Sequence, residues 1–256
     1  MELYYEIDDK GYPIGLPANN NPLEKAIHPK DEVNKILQGS YCILYPLQVD
    51  VHGAELFDSF SLDTSNEMWT YMNYGPFESV NQYKEFLTLA TSKQNEYFYA
   101  IVSNGRAIGV CCYLRIDCDN KSIEIGHLTF SKLMQRTIIS TEALILMARH
   151  AFDVLGYRRY EWKCNVLNQP SINAAQRLGF TFEGIHRQAV ISKGRNRDTA
   201  WFSILDSEWE ILQHIYSDWL ASLDSNGIQS YSLSSKTISI NKQRFPEFTL
   251  TTIEKK

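Results

Sequence analysis

Three strand-like runs follow one another in the middle of the chain, and this succession constrains the fold more than any other feature. The runs are YFYAIV (97–102), RAIGVCCYLRI (106–116) and KSIEIGHLTF (121–130). Asn104 and Gly105, between the first two runs, tolerate the positive φ angles of a tight hairpin turn. The sequence therefore predicts an antiparallel meander of three neighbouring strands.

The hydrophobic period changes from strand to helix directly after the meander. Apolar residues recur at i, i+3, i+4, i+7, i+8 and i+11 and share one helical face: Leu144, Met147, Ala148, Ala151, Phe152 and Leu155. Gly156 occupies the usual position after a helix. A strand, a short helix ended by Gly179, two paired strands and a final helix (207–223) follow. This order predicts an α/β fold with a mixed sheet, not a doubly wound parallel one.

The part of the chain before the meander reads as an arm, a strand and two helices. Residues 1–39 are rich in Pro, Gly and Asn, and they predict an irregular arm with a short helix around Asp31–Gln38. YCILYPLQVD is strand-like, with Pro46 interrupting its ladder, and helical spacing follows it. Gly75-Pro76 marks a turn before a second amphipathic helix.

Composition and charge exclude several classes of protein. The 256 residues are 44% hydrophobic, enough for a sizeable core, but the net charge of −5 argues against binding a nucleic-acid backbone. No apolar run approaches the roughly 20 residues that cross a bilayer, and the acidic N-terminus is unlike a signal peptide. We therefore expect a cytoplasmic protein that binds neither nucleic acid nor membrane. The spacing of the five cysteines and six histidines predicts reduced thiols and no metal site.

The segment HLTFSKLMQRTIISTE (127–142) joins the last strand of the meander to the long helix. First-turn N–H groups of a helix are unpaired and carry partial positive charge, so they attract phosphate. Five side chains would add donors at this end: Gln135, Arg136, Thr137, Ser140 and Thr141. A plain capped helix start explains the same pattern, so this segment alone does not decide between the two interpretations.

Two longer stretches carry a resemblance to a known family. WKCNVLNQPSINAAQRLGFTFEGIHRQ (162–188) and KGRNRDTAWFSILDSEW (193–209) resemble the GNAT superfamily of N-acetyltransferases, in its RimJ/RimL-like branch. GPF (75–77), EIGHLTFS and LMQRTIISTEA fit the same branch in the same order. The resemblance implies the GNAT fold, an α/β fold whose mixed, mostly antiparallel central sheet is splayed in the middle and flanked by helices. We expect an N-terminal arm at 1–39, the acetyltransferase domain at 40–224 and a C-terminal extension at 225–256.

The resemblance also implies a site for acetyl-CoA as co-substrate. Its pantetheine arm would lie between the strand ending at His127–Phe130 and the strand at 160–166, bound to main-chain groups that the splay leaves unpaired. Phe130 would line this cleft with Leu128 and Thr129, and an N–H near Leu128 or Thr129 would stabilise the oxyanion formed on attack.

The pyrophosphate would sit on the loop and helix start at residues 135–141. Many members of the family carry glycines in this loop, which let the main chain approach the phosphates. Here Ile138 and Ser140 stand at those places. Because helix-end amides need no particular side chain, the implied mode of binding is kept.

The short helix after the second central strand supplies the expected general acid. The resemblance makes Ser171 the candidate that protonates the departing CoA thiolate, and a helix-start hydroxyl bonded to the main chain is the alternative. Asn168 would bind pantetheine or cap the helix. Ala174 would keep the helix thin beside the cofactor, and Arg177 would reach the CoA phosphates or be solvated.

The acceptor amine is expected against an aromatic wall. Trp69, Tyr71, Tyr74 and Phe77 would line it together with Arg187, which suits an apolar or cationic amine. Core packing uses the same kinds of residue, so the wall has a purely structural alternative.

The general base is left unassigned by the sequence. Val190 stands where ribosomal-protein acetyltransferases of this branch carry a carboxylate. Glu183 and His186 are both available as a base. Glu183 is more simply explained as supporting the turn at Gly184, and His186 as an incidental strand residue.

These observations predict an enzyme that transfers the acetyl group of acetyl-CoA to a primary amine, by direct attack in a ternary complex. The expected acceptor is a small molecule or a peptide N-terminus. A non-catalytic acyl-CoA-binding or regulatory protein is the alternative, because the phosphate loop is altered and the carboxylate is missing. The oligomeric state stays open, with a homodimer as one option.

Overall fold

A computed structural model describes residues 5–18, 24–32, 35–223 and 231–237. Its main feature is one sheet of eight strands in the order β3-β4-β5-β6-β7-β8-β10-β9. The strands are β3 (Leu37–Gln38), β4 (Ile43–Pro46), β5 (Glu96–Ser103), β6 (Arg106–Asp117), β7 (Ser122–Phe130), β8 (Arg159–Asn165), β9 (Thr181–Ser192) and β10 (Arg195–Leu205). A separate small hairpin pairs β1 (Tyr5–Ile7) with β2 (Pro13–Gly15).

In the described ranges, five α-helices of nine residues or more accompany these strands. They are α1 (Val49–Phe60), α2 (Val80–Ser92), α3 (Ile138–Arg149), α4 (Gln169–Arg177) and α5 (Asp206–Ala221). A 3-10 turn at Glu67–Trp69 precedes α2, and α3 continues into a π-helical turn at His150–Val154. The order of elements from β4 onward is the one predicted, but the N-terminal arm differs from the expectation, because residues 5–15, expected to be irregular, form the β1–β2 hairpin. The short helix expected around Asp31–Gln38 is wrong for the described residues of that stretch, where Leu37–Gln38 form β3.

The predicted meander is confirmed. Ser103 pairs with Arg106, and the two residues between them turn the chain with positive φ, 51° at Asn104 and 75° at Gly105. β6 then pairs antiparallel with β7. Within the eight-stranded sheet β7 and β8 are the parallel pair, and the other neighbours run antiparallel. The sheet is therefore mixed and mostly antiparallel, as expected.

The parallel pair separates part-way along its length. β7 and β8 are paired from Ser122 and Arg159 as far as Ile125 and Trp162, although the structure describes both strands to their ends. The unpaired remainders, residues 126–130 of β7 and 163–165 of β8, are called the wedge below. Each keeps its outer neighbour, since β6 pairs with β7 up to Phe130 and β10 pairs with β8 up to Asn165. The expected splay is thus confirmed.

A bulge in β7 lies at the start of the wedge. Thr129 pairs with Val110 and Gly126 with Cys112, so two residues of β7, His127 and Leu128, oppose a single residue of β6. His127 has a φ of 49°. A bulge of this kind bends the strand and redirects its side chains.

Helices cover both faces of the sheet. The predicted apolar face of α3 is buried and belongs to one core with Tyr113, Ile125 and Trp162. On the opposite face, α1 and α2 pack against Phe98 and Cys112 in a second core. The two sets alternate along β5 and β6, as the period of a strand requires.

The segments on either side of the central domain also contact it. Ala26 and Leu233 are buried in the larger core, and Thr237 Oγ1 donates a hydrogen bond of 2.9 Å to the Arg177 carbonyl. Residues 233–237 form a short helical turn. The domain boundaries stay a prediction. Within the described ranges, no helix has both the length and the apolar character that a membrane span demands.

Candidate active site

The wedge brings the expected cofactor-binding strand residues to an open edge of β7. Leu128, Thr129 and Phe130 all lie beyond the last β7–β8 pair. Thr129 is 5% exposed, and its hydroxyl donates to the His127 carbonyl at 3.2 Å. Main-chain groups of β7 on this side therefore face the gap instead of a neighbouring strand.

The start of α3 lies beyond the end of β7 and has no side-chain cap. Thr137 is the N-cap residue, but its hydroxyl donates to the Met134 carbonyl at 2.8 Å. The Ser140 hydroxyl likewise donates to the Thr137 carbonyl at 2.8 Å. Gln135 Nε2 donates to the Phe130 carbonyl at 2.7 Å. These side chains brace the loop, so the first-turn N–H groups keep their capacity to bind an anion. Arg136, exposed and with a φ of 60°, stands beside them.

The start of α4 is capped by Asn168. Its Oδ1 accepts a hydrogen bond of 3.2 Å from the Ser171 N–H, which is the capping half of the two roles expected for it. Pro170 lies in the first turn, where the missing N–H costs little.

Ser171 stands at the point where the wedge opens. Its Oγ accepts a hydrogen bond of 3.0 Å from Trp162 Nε1, and Trp162 is the last residue of β8 that pairs with β7. Burial raises the pKa of the neighbouring Cys164 thiol to about 11, while a hydrogen bond from Ser171 lowers it. The serine oxygen is thus held by an indole, and its O–H can be donated to sulfur.

Arg177 connects the two helices that flank the wedge. It donates from Nη1 to the Thr141 hydroxyl of α3 at 2.8 Å. Burial lowers the pKa of this guanidinium. The contact gives the buried Thr141 hydroxyl a hydrogen-bond partner, and it holds the Arg177 side chain against α3. Ala174, half-buried on the same helix, packs against the larger core.

The aromatic residues expected on the acceptor side divide into two groups. Trp69 is 4% exposed and packs edge-on against Phe77 at 5.4 Å between ring centroids. These two rings therefore belong to the core packing behind the aromatic wall. Tyr74 reaches the wedge, and Tyr71 reaches the loop that follows β8. The Tyr71 hydroxyl donates to the Leu167 carbonyl at 2.9 Å, and the Tyr74 hydroxyl lies 3.4 Å from Thr129 Oγ1.

A cavity of about 830 Å³ opens beside the end of β8. It is lined by Asn165, Val166, Leu167, Arg187, Gln188, Asn196 and Asp198. Arg187, expected on the acceptor side, is therefore an exposed member of this lining. The cavity continues from the wedge toward the β9–β10 hairpin.

The tip of the β9–β10 hairpin is attached to the loop before α2. Lys193 Nζ donates to the carbonyls of Trp69 at 2.9 Å and Gly75 at 3.1 Å. Ser192 Oγ donates to Asn73 Oδ1 at 2.7 Å. The hairpin thus spans the acceptor side and fixes the loop that carries Tyr71 and Tyr74.

A chain of three polar side chains lies on this side of β7 and was not found from the sequence. The His127 ring places Nδ1 at 3.0 Å from the Tyr74 hydroxyl and Nε2 at 3.6 Å from Glu96 Oε2. Burial lowers the pKa of His127, Glu96 opposes this, and Lys93 adds to it. The only sequence signal was a histidine in the strand next to the phosphate loop. Its partners come from distant segments, so no local spacing indicates them.

The two residues considered as bases have other contacts. Burial by itself would raise the pKa of Glu183, but hydrogen bonds from Arg159 and Ser203 outweigh it and leave that pKa lowered. The Arg159 guanidinium contacts Glu183 at 2.8 and 2.5 Å. His186 stacks on Trp201 with ring centroids 4.3 Å apart. Neither arrangement holds a free base at the wedge.

A buried lysine closes the paired end of the wedge. Lys163 Nζ contacts Glu124 at 2.9 Å and Glu161 at 2.6 Å, and it lies 3.6 Å from the centroid of the Trp201 ring. Since all three charged groups are shielded from water, removing one of them would leave a buried charge without its partner at the end where β7 and β8 remain together. In the part of the chain that the structure describes, no three His, Cys, Asp or Glu side chains are grouped to hold a metal.

Comparison with known proteins agrees with this geometry. The family described as the acetyltransferase (GNAT) domain matches residues 43–181, more than half of the chain. The chain belongs to the GNAT acetyltransferase family. The match begins at β4 and ends at the start of β9, so it includes both strands of the wedge and the helices α3 and α4.

Solved and curated GNAT proteins are similar to this chain over most of its described length. A GCN5-related N-acetyltransferase from Brucella melitensis is 41% identical, with a TM-score of 0.77, covering 80% of this chain and 94% of that one. The uncharacterized N-acetyltransferase p20 of Bacillus licheniformis is 28% identical over 148 residues, 56% of this chain and 83% of that protein.

A third relative bears on the branch of the family. The ribosomal-protein-serine acetyltransferase of Escherichia coli is 32% identical over 111 residues, 43% of this chain and 62% of that protein. The resemblance to the RimJ/RimL-like branch is thereby confirmed, and the chain is a GNAT acetyltransferase of that type.

Proposed function

We propose that this GNAT protein transfers the acetyl group of acetyl-CoA to a primary amine, by direct attack within a ternary complex. The acceptor is a small molecule or a peptide N-terminus. The single observation that carries the proposal is the wedge, because two parallel strands that part leave main-chain donors and acceptors to which pantetheine amides can bind like a further strand.

Three parts of the structure would contact acetyl-CoA bound in the wedge. The uncapped start of α3, with Arg136 beside it, offers amides and positive charge to the pyrophosphate. Main-chain N–H groups at Leu128 and Thr129 would stabilise the oxyanion. Ser171, whose oxygen is held by Trp162, is placed to protonate the leaving thiolate.

The acceptor would approach from the face that carries α1 and α2. Tyr71 and Tyr74 stand over the wedge on that face, and the cavity that continues from it holds both Arg187 and Asp198. A lining with both charges favours an acceptor that carries a carboxylate or amide near its amine, which a peptide N-terminus does. A small amine with one polar substituent meets the same requirement.

The test measures acceptor-dependent release of CoA. Purified full-length protein is incubated with acetyl-CoA and a panel of primary amines and short peptides with free N-termini, and free CoA and acetylated product are separated by chromatography. Equal amounts of acetylated product and CoA support transfer. Measurable binding of CoA by calorimetry without release in any arm would instead support a non-catalytic acyl-CoA-binding protein.

A further inference from the structure

Tyr74, His127 and Glu96 form a connected set of polar groups that the steps above do not use. The three come from the loop before α2, from β7 and from β5, and they meet on the acceptor face of the sheet. The phenol and imidazole rings are stacked at 5.5 Å with an interplanar angle of 18°, and Phe98 packs on the imidazole at 5.0 Å. The imidazole is therefore fixed in orientation.

The backbone is shaped to place this histidine. His127 holds a φ of 49° in the bulge that begins the wedge, a conformation that costs energy for a residue with a Cβ. The bulge points His127 and Thr129 toward the same side, so that the Tyr74 hydroxyl lies 3.0 Å from the histidine and 3.4 Å from the threonine. Thr129 is one of the two residues expected beside the thioester carbonyl.

Glu96 completes the set from behind. Its Oε1 is bonded to Lys93 at 3.0 Å, and its Oε2 is buried, with no hydrogen bond to any residue that the structure describes. That free oxygen faces His127 Nε2 at 3.6 Å. A buried acceptor without a donor is costly unless it serves a proton or a charge that arrives during function.

We propose that Tyr74, His127 and Glu96 form a proton relay that deprotonates the acceptor amine, with Tyr74 as the catalytic residue and the other two as positioning residues. The assignment rests on the proposed function. The Tyr74 hydroxyl touches the amine, His127 takes the proton that Tyr74 passes on, and Glu96 stabilises the imidazolium. The relay supplies the base that no carboxylate at position 190 provides.

The proton balance of the step is complete. An ammonium acceptor gives one proton to Tyr74 as the phenol passes its own proton to His127 Nδ1. The neutral amine then attacks the thioester carbon, the C–N bond forms, and the oxyanion collapses with cleavage of the C–S bond. Ser171 protonates the departing thiolate, so CoA leaves as the thiol, and the second nitrogen proton restores the Ser171 hydroxyl. His127 returns the first proton to solvent.

The surroundings of His127 suit a base that is neutral before the reaction. The titratable and charged groups around it are Tyr74 from the loop, Glu96 from β5, Lys93 from the end of α2 and Cys112 from β6. Burial raises the pKa of both Tyr74 and Cys112, which keeps them protonated. The charges that act on the imidazole are thus Glu96, which favours its protonation, and Lys93, which opposes it.

The experiment compares wild type with Tyr74→Phe, His127→Gln and Glu96→Gln, using benzylamine and a tripeptide as acceptors. Tyr74→Phe is expected to lower kcat/KM by about 100-fold with CoA affinity unchanged. His127→Gln is expected to remove the inflection that wild type shows below about pH 6.5, leaving only the ionisation of the acceptor. Tyr45→Phe and His52→Gln are matched controls, because Tyr45 and His52 form a similar ring pair beside α1, outside the site.

A second readout is independent of any acceptor. In proton–carbon NMR of the histidine rings, the His127 signal is identified by its loss in His127→Gln. Glu96→Gln is expected to lower the pKa at which it titrates, and an unchanged titration would overturn the relay. If the wild type turns over and Tyr74→Phe has the same kcat/KM and pH profile, the relay is overturned while the proposed function stands. Absence of turnover in wild type would overturn the proposed function and the relay together.

Discussion

Trp162 Nε1 and Ser171 Oγ are joined by a hydrogen bond of 3.0 Å at the residue where β8 stops pairing with β7. The indole is 3% exposed, so the bond is shielded from water and fixes the serine oxygen relative to the sheet. The last paired residue of β8 thus sets the position of the candidate acid on α4. Since the oxygen accepts from the indole, its own proton can be donated either to the Cys164 sulfur or into the wedge.

Ser171→Ala is expected to lower turnover by about 100-fold while CoA affinity, measured by calorimetry, changes little, because the hydroxyl acts on the leaving thiolate. Ser79→Ala is a matched control, since Ser79 starts α2 and caps it by accepting from the Gln82 N–H at 3.2 Å. That variant should lose stability and keep its turnover per folded molecule. Equal turnover in both variants would reduce Ser171 to a structural hydroxyl.

Asn168→Ala is expected to lower the free energy of unfolding by about 1 kcal/mol, because the Ser171 N–H loses its side-chain acceptor at the start of α4 and keeps only the Asn168 carbonyl at 3.0 Å. Asn168→Asp should restore most of this, since a carboxylate caps equally well. Urea titrations of the three proteins measure the difference. If Asn168→Ala keeps its stability but binds CoA more weakly, the side chain serves the ligand and not the helix.

Lys193→Met is expected to raise the acceptor KM several-fold and to leave CoA affinity unchanged. The ammonium holds the hairpin tip on the carbonyls of Trp69 and Gly75, and through that loop it positions Tyr71 and Tyr74. Arg195→Met at the same tip is the control, because it removes one positive charge without breaking these two bonds. Matching KM values in the two variants would show that charge, and not attachment, matters.

Stability is expected to fall as the pH drops below about 6.5, the ordinary pKa of histidine. Burial lowers the pKa of His150, against the opposing effect of Glu32, and burial also lowers the pKa values of His28, His52 and His127. Between the lowered pKa and about 6.5 the unfolded chain binds more protons than the folded one, so the free energy of unfolding rises with pH in that window.

The pH effect is measured by urea titration at about pH 7.5 and about pH 5.5, in wild type, His150→Gln and His214→Gln. His150→Gln should show a smaller loss on acidification, by up to about 1.4 kcal/mol per pH unit inside the window. His214 is exposed on α5, and its variant should behave like wild type. An identical pH dependence in all three proteins would contradict the role of His150.

The sequence by itself determined the elements from β4 onward and their order. The apolar period at Leu144 to Leu155, the turn at Asn104-Gly105 and the motif from Asn168 to Gly179 are local patterns, fixed by residues a few positions apart. The same local motif placed Ser171 at the start of α4. The short helix expected around Asp31–Gln38 failed at its end because Leu37 and Gln38 instead pair with β4, a contact outside the local window.

Tertiary structure alone decided which groups meet. The depth of the wedge depends on the register of β7 and β8, and the contact between Arg177 and Thr141 depends on how α4 lies against α3. Glu142 accepts from the main-chain N–H groups of residues 40–42, which no spacing in the sequence indicates. Distances between segments far apart in the chain are set by strand register and packing, and periodicity carries no information about either.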